Sequence, residues 1–418
     1  MHVAVERVLF WATSCGLAIA MGAACAGGVG KPSSATLWDE LKRFAGNKVD
    51  MLDAYEQLHS RRWEGSASNT YQLLSMSDAM LGRYDQAQQE MYSAFRNTAS
   101  PLPPCPNDLG SGSFDQWLMT HAGKFDLVMI NEAHNQPMSR ALIYQMLPIM
   151  RRLGFSILAL EALPDEATTA WINQHGYVPD EAHYGFYLRE PIEGEVVRRA
   201  KRLGFTLASY DIFSKDRELD EARNLARILK EHPGQKVFVV AGYDHVRRMD
   251  GRMAELLPKL YGKPFLSIDQ LGKGNDVMRS ACAQDSALGA NEGGATLASM
   301  RWKLDGRGTD VTVFRTGSYS LDRAAAKGSD WLSLGGDRWR RRFSTGEGCG
   351  KSRVCLVEAR GAGQPADAVP VDRYLALEGE HFADLYLHSG NYVMTYRSAS
   401  GAVMRTTSIA VHESSQPH

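Results

Sequence analysis

The chain has 418 residues, a formal net charge of −1 and 44 % hydrophobic content. That composition is globular, and the length suffices for one large core plus a smaller module. Near-zero net charge leaves no electrostatic footprint for nucleic acid and excludes that class of partner; the one basic cluster, residues 338–342, reads as a solvated face.

The N-terminus reads as a leader. Arg7 precedes an uncharged, apolar stretch over residues 8–26 that ends in small residues around Cys25. A positive start, an apolar middle and a small-residue cut form a secretory signal over residues 1–26. Cleavage after Ala26 gives a soluble protein, cleavage before Cys25 a lipid-anchored one, and no cleavage a membrane anchor. Each reading means export, to a bacterial periplasm or cell envelope.

Residues 35–100 have helical spacing. Leu37, Leu41 and Phe44 share one helix face. Further on, Tyr71, Met76, Met80, then Gly82, then Tyr84, Ala87, Met91 and Phe95 describe a helix, a turn and a second helix. This is a single tetratricopeptide-like hairpin, which cannot stack as a solenoid alone. It serves as a cap on the main domain or as an arm for a protein partner. The proline-rich residues 101–106 mark a boundary.

From residue 114 the pattern alternates. Apolar runs at 125–130, 155–160, 205–209, 236–241 and 265–268 enclose helix-period segments at 138–153, 165–175, 193–203, 216–231 and 248–261. Such alternation predicts an α/β fold with a mostly parallel sheet flanked by helices, assigned to residues 114–345. Arg152-Leu153-Gly154-Phe155 and Arg202-Leu203-Gly204-Phe205 share one grammar: a helix end, a left-handed glycine, and the next strand. Short strand-like runs after residue 310 predict a small β-rich C-terminal module over residues 350–412, either a docking module or a structural appendage.

Outside the leader four cysteines remain. In an oxidising compartment a Cys349–Cys355 bridge is expected across a short turn, and Cys105 with Cys282 follows by elimination. None has zinc-finger spacing.

Four of the five strands end in residues able to do chemistry: Glu132 and His134; Glu161; Tyr210 and Asp211; Tyr243, Asp244 and His245. In an open α/β sheet these ends form the ligand-binding edge. Glu161, framed by apolar residues, is expensive to desolvate unless paired. Two chemistries suit the set. His134, His245, Glu132 and Glu161 can hold a divalent metal whose water ionises near neutral pH. Alternatively, one histidine paired with a glutamate activates water directly. Asp211, Tyr243 and Asp244 are secondary candidates for holding a cofactor.

The segment Met129-Ile130-Asn131-Glu132-Ala133-His134-Asn135-Gln136-Pro137, with Gly154-Phe155 and Glu161 downstream, resembles the "GExH(D)NP … GF … E" pattern of ChaN-like proteins. Ala241-Gly242-Tyr243-Asp244-His245-Val246 resembles their "AGxGHV" element, and Gly242 to His245 fits the GxxH element of the Tiki branch. Asn131 and Asn135 stand where the pattern has Gly and Asp, and Ser139 or Arg140 where the ChaN branch often has another His. That superfamily groups ChaN-type haem-binding lipoproteins, erythromycin esterases and Tiki/TraB metalloproteases. The resemblance spans about residues 114–270. It implies an α/β fold with both histidines, Glu132 and Glu161 facing one cleft. It further implies a hydrolase acting on a small-molecule or peptide substrate, or haem capture with Tyr243 or His245 on the iron. A non-catalytic scaffold for protein contacts is the third reading.

Overall fold

The computed structural model describes residues 51–61, 68–95, 105–212, 214–271, 296–306, 308–315, 320–324 and 330–412. The expected leader with Cys25, the helix around Leu37 to Phe44, and Cys282 lie outside the described residues.

Three helices come first: α1 (Met51–Arg61), α2 (Ser68–Met80) and α3 (Tyr84–Phe95). Then α4 (Phe114–His121) leads into the alternating region, where β1 (Leu127–Glu132), β2 (Phe155–Leu160), β3 (Thr206–Ala208), β4 (Lys236–Gly242) and β5 (Leu266–Asp269) are strands. Between them run α5 (Pro137–Arg152), α6 (Glu166–His175), α7 (Pro191–Arg202), α8 (Arg217–Glu231) and α9 (Met253–Tyr261). Two further strands, β6 (Arg301–Leu304) and β7 (Val311–Phe314), complete a seven-stranded sheet of order β3-β2-β4-β1-β5-β7-β6. All neighbours are parallel except β6 against β7.

The strands are apolar on both faces because helices cover both. Val128, Ile130, Leu158, Leu160, Phe238 and Val240 pack with α5 and α7. Their sequence neighbours Leu127, Met129, Ile157, Ala159, Val237 and Val239 pack with α8 and α9. Gly154 (φ +90°) and Gly204 (φ +78°) occupy the left-handed position at the ends of α5 and α7, a conformation that penalises any Cβ. Helix α9 begins at Met253, five residues later than its apolar spacing predicts. Asp250 and Gly251 turn with positive φ, and the Glu218 carboxylate accepts the Met253 N–H at 2.6 Å.

The C-terminal region starts at β8 (Trp339–Ser344), inside the segment that the spacing assigned to the α/β domain. After the short α10 (Thr345–Cys349) come β9 (Cys355–Gly361), β10 (Asp372–Ala376), β11 (Phe382–Leu387), β12 (Gly390–Arg397) and β13 (Val403–Val411). They form a four-stranded antiparallel sheet of order β10-β9-β12-β13 and a β8–β11 pair. The basic run is a solvated face only in part, at Arg342, which is exposed. Arg338 is 1 % exposed and donates to the Leu332 and Val371 carbonyls, while Arg340 and Arg342 converge on Asp384 of β11. Strand pairing thus sets one carboxylate opposite two of the four arginines. Cys349 and Cys355 are bridged, with Cα atoms 5.8 Å apart. Cys105 is also disulfide-bonded.

This module is tied to the α/β domain along residues 178–190. Val369 donates its N–H to the Val178 carbonyl at 2.9 Å, and Asp180 its own to the Asp367 carbonyl at 2.7 Å. Arg373, buried, pairs with Asp180 at 2.8 Å. The α2–α3 hairpin sits on both: Leu375 N–H bonds the Leu81 carbonyl at 2.9 Å, Arg83 reaches Glu380 at 2.9 Å, and Tyr84 Oη donates to Glu190 at 3.3 Å. A separate hollow of about 660 Å³, lined by Tyr144, Arg199, Arg202, Asp337 and His388 among others, contains none of the candidate residues. Among the described residues, no helix is long and apolar enough to cross a membrane.

Candidate functional site

The ends of β1 and β4 lie level, with Glu132 opposite Gly242 in the parallel register. Asn131 ties three strand ends together. Its amide donates to the Tyr243 carbonyl at 2.9 Å and to Asp269 Oδ1 at 2.7 Å, and accepts from the Gln270 N–H at 2.9 Å. Glycine, the residue of the resembled motif, offers no such bonds. The tie also supports Tyr243, whose φ of +44° is uncommon for a bulky residue; its N–H donates to the Glu132 carbonyl at 2.9 Å.

His134 follows β1 on the turn into α5 and is 2 % exposed. Its Nδ1 bonds Glu132 Oε1. In the neutral ring that bond places the proton on Nδ1 and makes Nε2 the acceptor. Burial pushes Glu132 up, but Arg140 and His134 together hold its carboxyl below the usual range. The His134 ring lies between Tyr187, stacked at 4.0 Å, and the edge of Tyr243 at 4.8 Å. Its neighbour Asn135 is 1 % exposed, and neither amide atom has a hydrogen-bond partner among the described residues.

Glu161 sits one residue past β2, where its N–H bonds the Val240 carbonyl at 3.1 Å. One carboxylate oxygen accepts the Gly242 N–H; the other accepts Arg217 Nη2 at 3.1 Å. That second oxygen also faces His134 Nε2 at 3.8 Å and His245 Nε2 at 3.9 Å. Gly242 makes the close approach feasible: a Cβ there would stand 2.9 Å from both His134 Nε2 and Glu161 Oε1.

His245 turns its Nδ1 to Glu218 Oε2 at 2.9 Å, with Glu221 Oε2 at 3.4 Å. Burial alone would depress its pKa, but the carboxylates of Glu221, Glu161 and Glu218 raise it to about 9. Glu218 is brought down to about 2: burial opposes this, and the His245 and Arg252 bonds more than offset it. Burial pushes Glu221 well above the usual carboxylate range.

The structure therefore brings Glu132, His134, Glu161 and His245 together. Asp211 joins indirectly, bonded to Arg217 Nε at 2.9 Å, and Tyr243 lines the His134 ring. Asp244 does not join: it pairs with Arg247 at 2.8 Å and is partly exposed. Sequence reading missed Tyr187, Arg140, Glu190, Glu193, Arg217, Glu218 and Glu221. For Arg217 and Glu221 a signal existed. Arg217 and Glu221 are spaced i,i+4 in the first turns of a helix that follows a strand end, and their ion pair measures 2.8 Å.

The expected metal set does not gather around one point, because Glu132 occupies the opposite ring nitrogen of His134 from the one facing Glu161. Among the described residues the three donors that do gather are Glu218, Glu221 and His245, with ligand atoms within 4.8 Å of one another. Glu218 also meets Arg252 at 2.9 Å and the Met253 N–H at 2.6 Å, and Glu221 lies 2.8 Å from Arg217. A divalent cation there would compete with two guanidinium groups and with the proton on His245.

No family model and no curated protein matches the chain. Solved structures with some likeness are bacterial effectors and toxins. The type III effector HopBA1 is 18 % identical with a TM-score of 0.30, over 41 % of this chain and 90 % of that one. RRSP, a MARTX toxin effector domain from Vibrio vulnificus CMCP6, is 13 % identical with a TM-score of 0.26, over 46 % of this chain and 41 % of that one. A structure described as "Bacterial protein toxins" is 13 % identical with a TM-score of 0.30, over 65 % of this chain and 64 % of that one. Likenesses this weak carry no functional argument.

Proposed function

We propose that this chain is an exported hydrolase of the ChaN and erythromycin-esterase type, in which His134 activates water against an ester or amide carbonyl. The observation that carries the reading is the pair of imidazole Nε2 atoms turned to one oxygen of Glu161, at 3.8 and 3.9 Å. The two rings differ in their partners. His134, oriented by Glu132, offers an acceptor, whereas His245 is held as an imidazolium up to about pH 9. A base and an acid on either side of one carboxylate suit hydrolysis.

His134 Nε2 takes a proton from water, and the hydroxide oxygen adds to the carbonyl carbon. Arg217 and the His245 imidazolium stabilise the oxyanion. His245 then protonates the departing alcohol or amine as the carbon–heteroatom bond breaks, and the proton gained by His134 passes by way of Glu161 Oε1 to His245, restoring both rings. General-base help of this kind contributes roughly 10²–10⁴-fold. The buried, unpartnered Asn135 amide supplies a polar handle for the substrate.

The test is hydrolysis of a panel of esters and peptides by wild type, His134→Ala and His245→Gln. Loss in both variants supports the reading. An inactive wild type that instead gives a haem Soret band, lost in Tyr243→Phe or His245→Ala, replaces it with haem capture. Export belongs to the same proposal, and the mature N-terminus decides between cleavage after Ala26 and a lipidated Cys25.

A further inference from the structure

Behind His134, on the side away from Glu161, three carboxylates surround one guanidinium. Arg140 of α5 has no exposed surface. Its Nε lies 3.2 Å from Glu132 Oε2 of β1 and 3.1 Å from Glu193 Oε2 of α7, and its Nη1 lies 3.3 Å from Glu190 Oε2. With all three acids ionised, one positive charge would face three negative ones in the interior. Each uncompensated buried charge costs several kcal/mol, so the cluster is better served by a proton.

The geometry decides which acid takes it. Glu132 has two cationic or donor partners, Arg140 and His134 Nδ1. Glu190 has Arg140, the Tyr84 hydroxyl of α3 and the Glu193 N–H at 2.9 Å, which it caps at the start of α7. Glu193 has only a share of the single Arg140 Nε–H that Glu132 also faces; neither contact is aligned as a hydrogen bond, but Glu132 has the His134 bond besides. It is the least supported anion of the three.

We propose that Glu193 is a positioning residue that carries a proton at neutral pH, and that this proton reserves Arg140 for Glu132 and so keeps Glu132 ionised against His134. The catalytic consequence rests on the hydrolase reading; the proton itself does not. Burial raises the Glu193 carboxyl to about 8, with Glu132 and Glu190 adding to the rise and Arg140 opposing it. Once Glu193 ionises, two carboxylates compete for one N–H, and the hold on Glu132 weakens.

The experiment is infrared spectroscopy of the full-length protein with isotope-labelled glutamate, comparing wild type with the near-isosteric Glu193→Gln. At pH 7 the difference spectrum should contain the C=O stretch of one protonated carboxyl. In wild type that band should bleach with a midpoint near pH 8. A difference spectrum showing carboxylate bands at pH 7 overturns the proposal. Matched thermal transitions for the two proteins confirm that the variant is folded. If the protein hydrolyses esters or peptides, the wild-type rate should begin to fall near pH 8, and in Glu193→Gln that fall should begin only near pH 9, where His245 loses its proton. An unchanged onset refutes the positioning role even where the proton is found. With no hydrolysis at all, the infrared result still stands alone, so the two failures are distinguishable.

Discussion

Tyr187 lies against the imidazole of His134 with ring planes 17° apart and centroids 4.0 Å apart. The tyrosine is itself held from behind, because it belongs to the core that joins Leu52, Leu73 and Leu74 of α1 and α2 to Leu356 and Leu375 of the C-terminal sheet. Hairpin and module thus meet at the segment that forms one wall of the candidate site. The hairpin's packing gives it a physical task that a lone repeat unit lacks elsewhere: it fixes Tyr187 and, through Tyr84, Glu190.

We predict that Tyr187→Ala lowers stability by about 3–5 kcal/mol, the range for truncating a buried aromatic, and that it reduces hydrolysis more than any change in substrate affinity explains. Tyr187→Phe keeps the stack and should lie within about 1.5 kcal/mol of wild type. Denaturant midpoints and rate constants for the pair check this. Equal rates for wild type and Tyr187→Ala would mean that the stack does not orient His134.

Gly242→Ala is the smallest substitution that enters the hollow itself. The added methyl would come within 2.8 Å of His134 Cε1 and 2.9 Å of Glu161 Oε1. Overpacking of this kind costs about 1–3 kcal/mol. A shift of the two groups by about 1 Å is enough to lower a rate by roughly 10²-fold. A variant with wild-type melting temperature and full hydrolysis would show that the two groups need not approach so closely.

The His245 and Glu218 pair sets a pH window. The His245 pKa lies above its ordinary 6.5, at about 9, so its stabilisation is fully present below 6.5 and is lost as pH rises through 9. Glu218 lies below its ordinary 4.5, at about 2, so its contribution is present above 4.5 and lost as pH falls through 2. The pair predicts a plateau between about pH 4.5 and 6.5 and a decline towards 9. Glu193 and Glu221, both raised from their ordinary 4.5, lose stability progressively as pH rises above 4.5, so in the whole protein they tilt that plateau downward. Subtracting the His245→Gln profile isolates the histidine. A difference that stays constant between pH 6 and 9 would contradict the assignment.

Much of the parallel core was legible because its signals are local. Apolar runs such as 236–241 report strands buried on both faces, and Gly154 and Gly204 punctuate helix ends wherever they occur. The convergence of His134, Glu161 and His245 was legible for a related reason, since strand ends in a parallel sheet share an edge. The partners of these residues were not. Arg140 and Glu193 lie on amphipathic helices, where a charged residue ordinarily faces water. Only tertiary packing turns both inward. The 338–342 run misled in the same way, because its compensation by Asp384 comes from a strand forty residues on.

We predict that the site works without a bound metal. The carboxylates nearest to a metal-like arrangement, Glu218 and Glu221, face Arg252 and Arg217 at 2.9 and 2.8 Å, and the imidazole between them holds a proton up to about pH 9. A divalent cation would have to expel that proton and sit among two guanidinium groups, both costly in a poorly hydrated setting. Hydrolysis and melting temperature should therefore survive dialysis against a chelator, and added zinc should not raise either. Elemental analysis gives the opposing outcome a clear form. One equivalent of a transition metal in the purified protein, with activity lost on its removal and restored on its return, would transfer water activation from His134 to a metal centre.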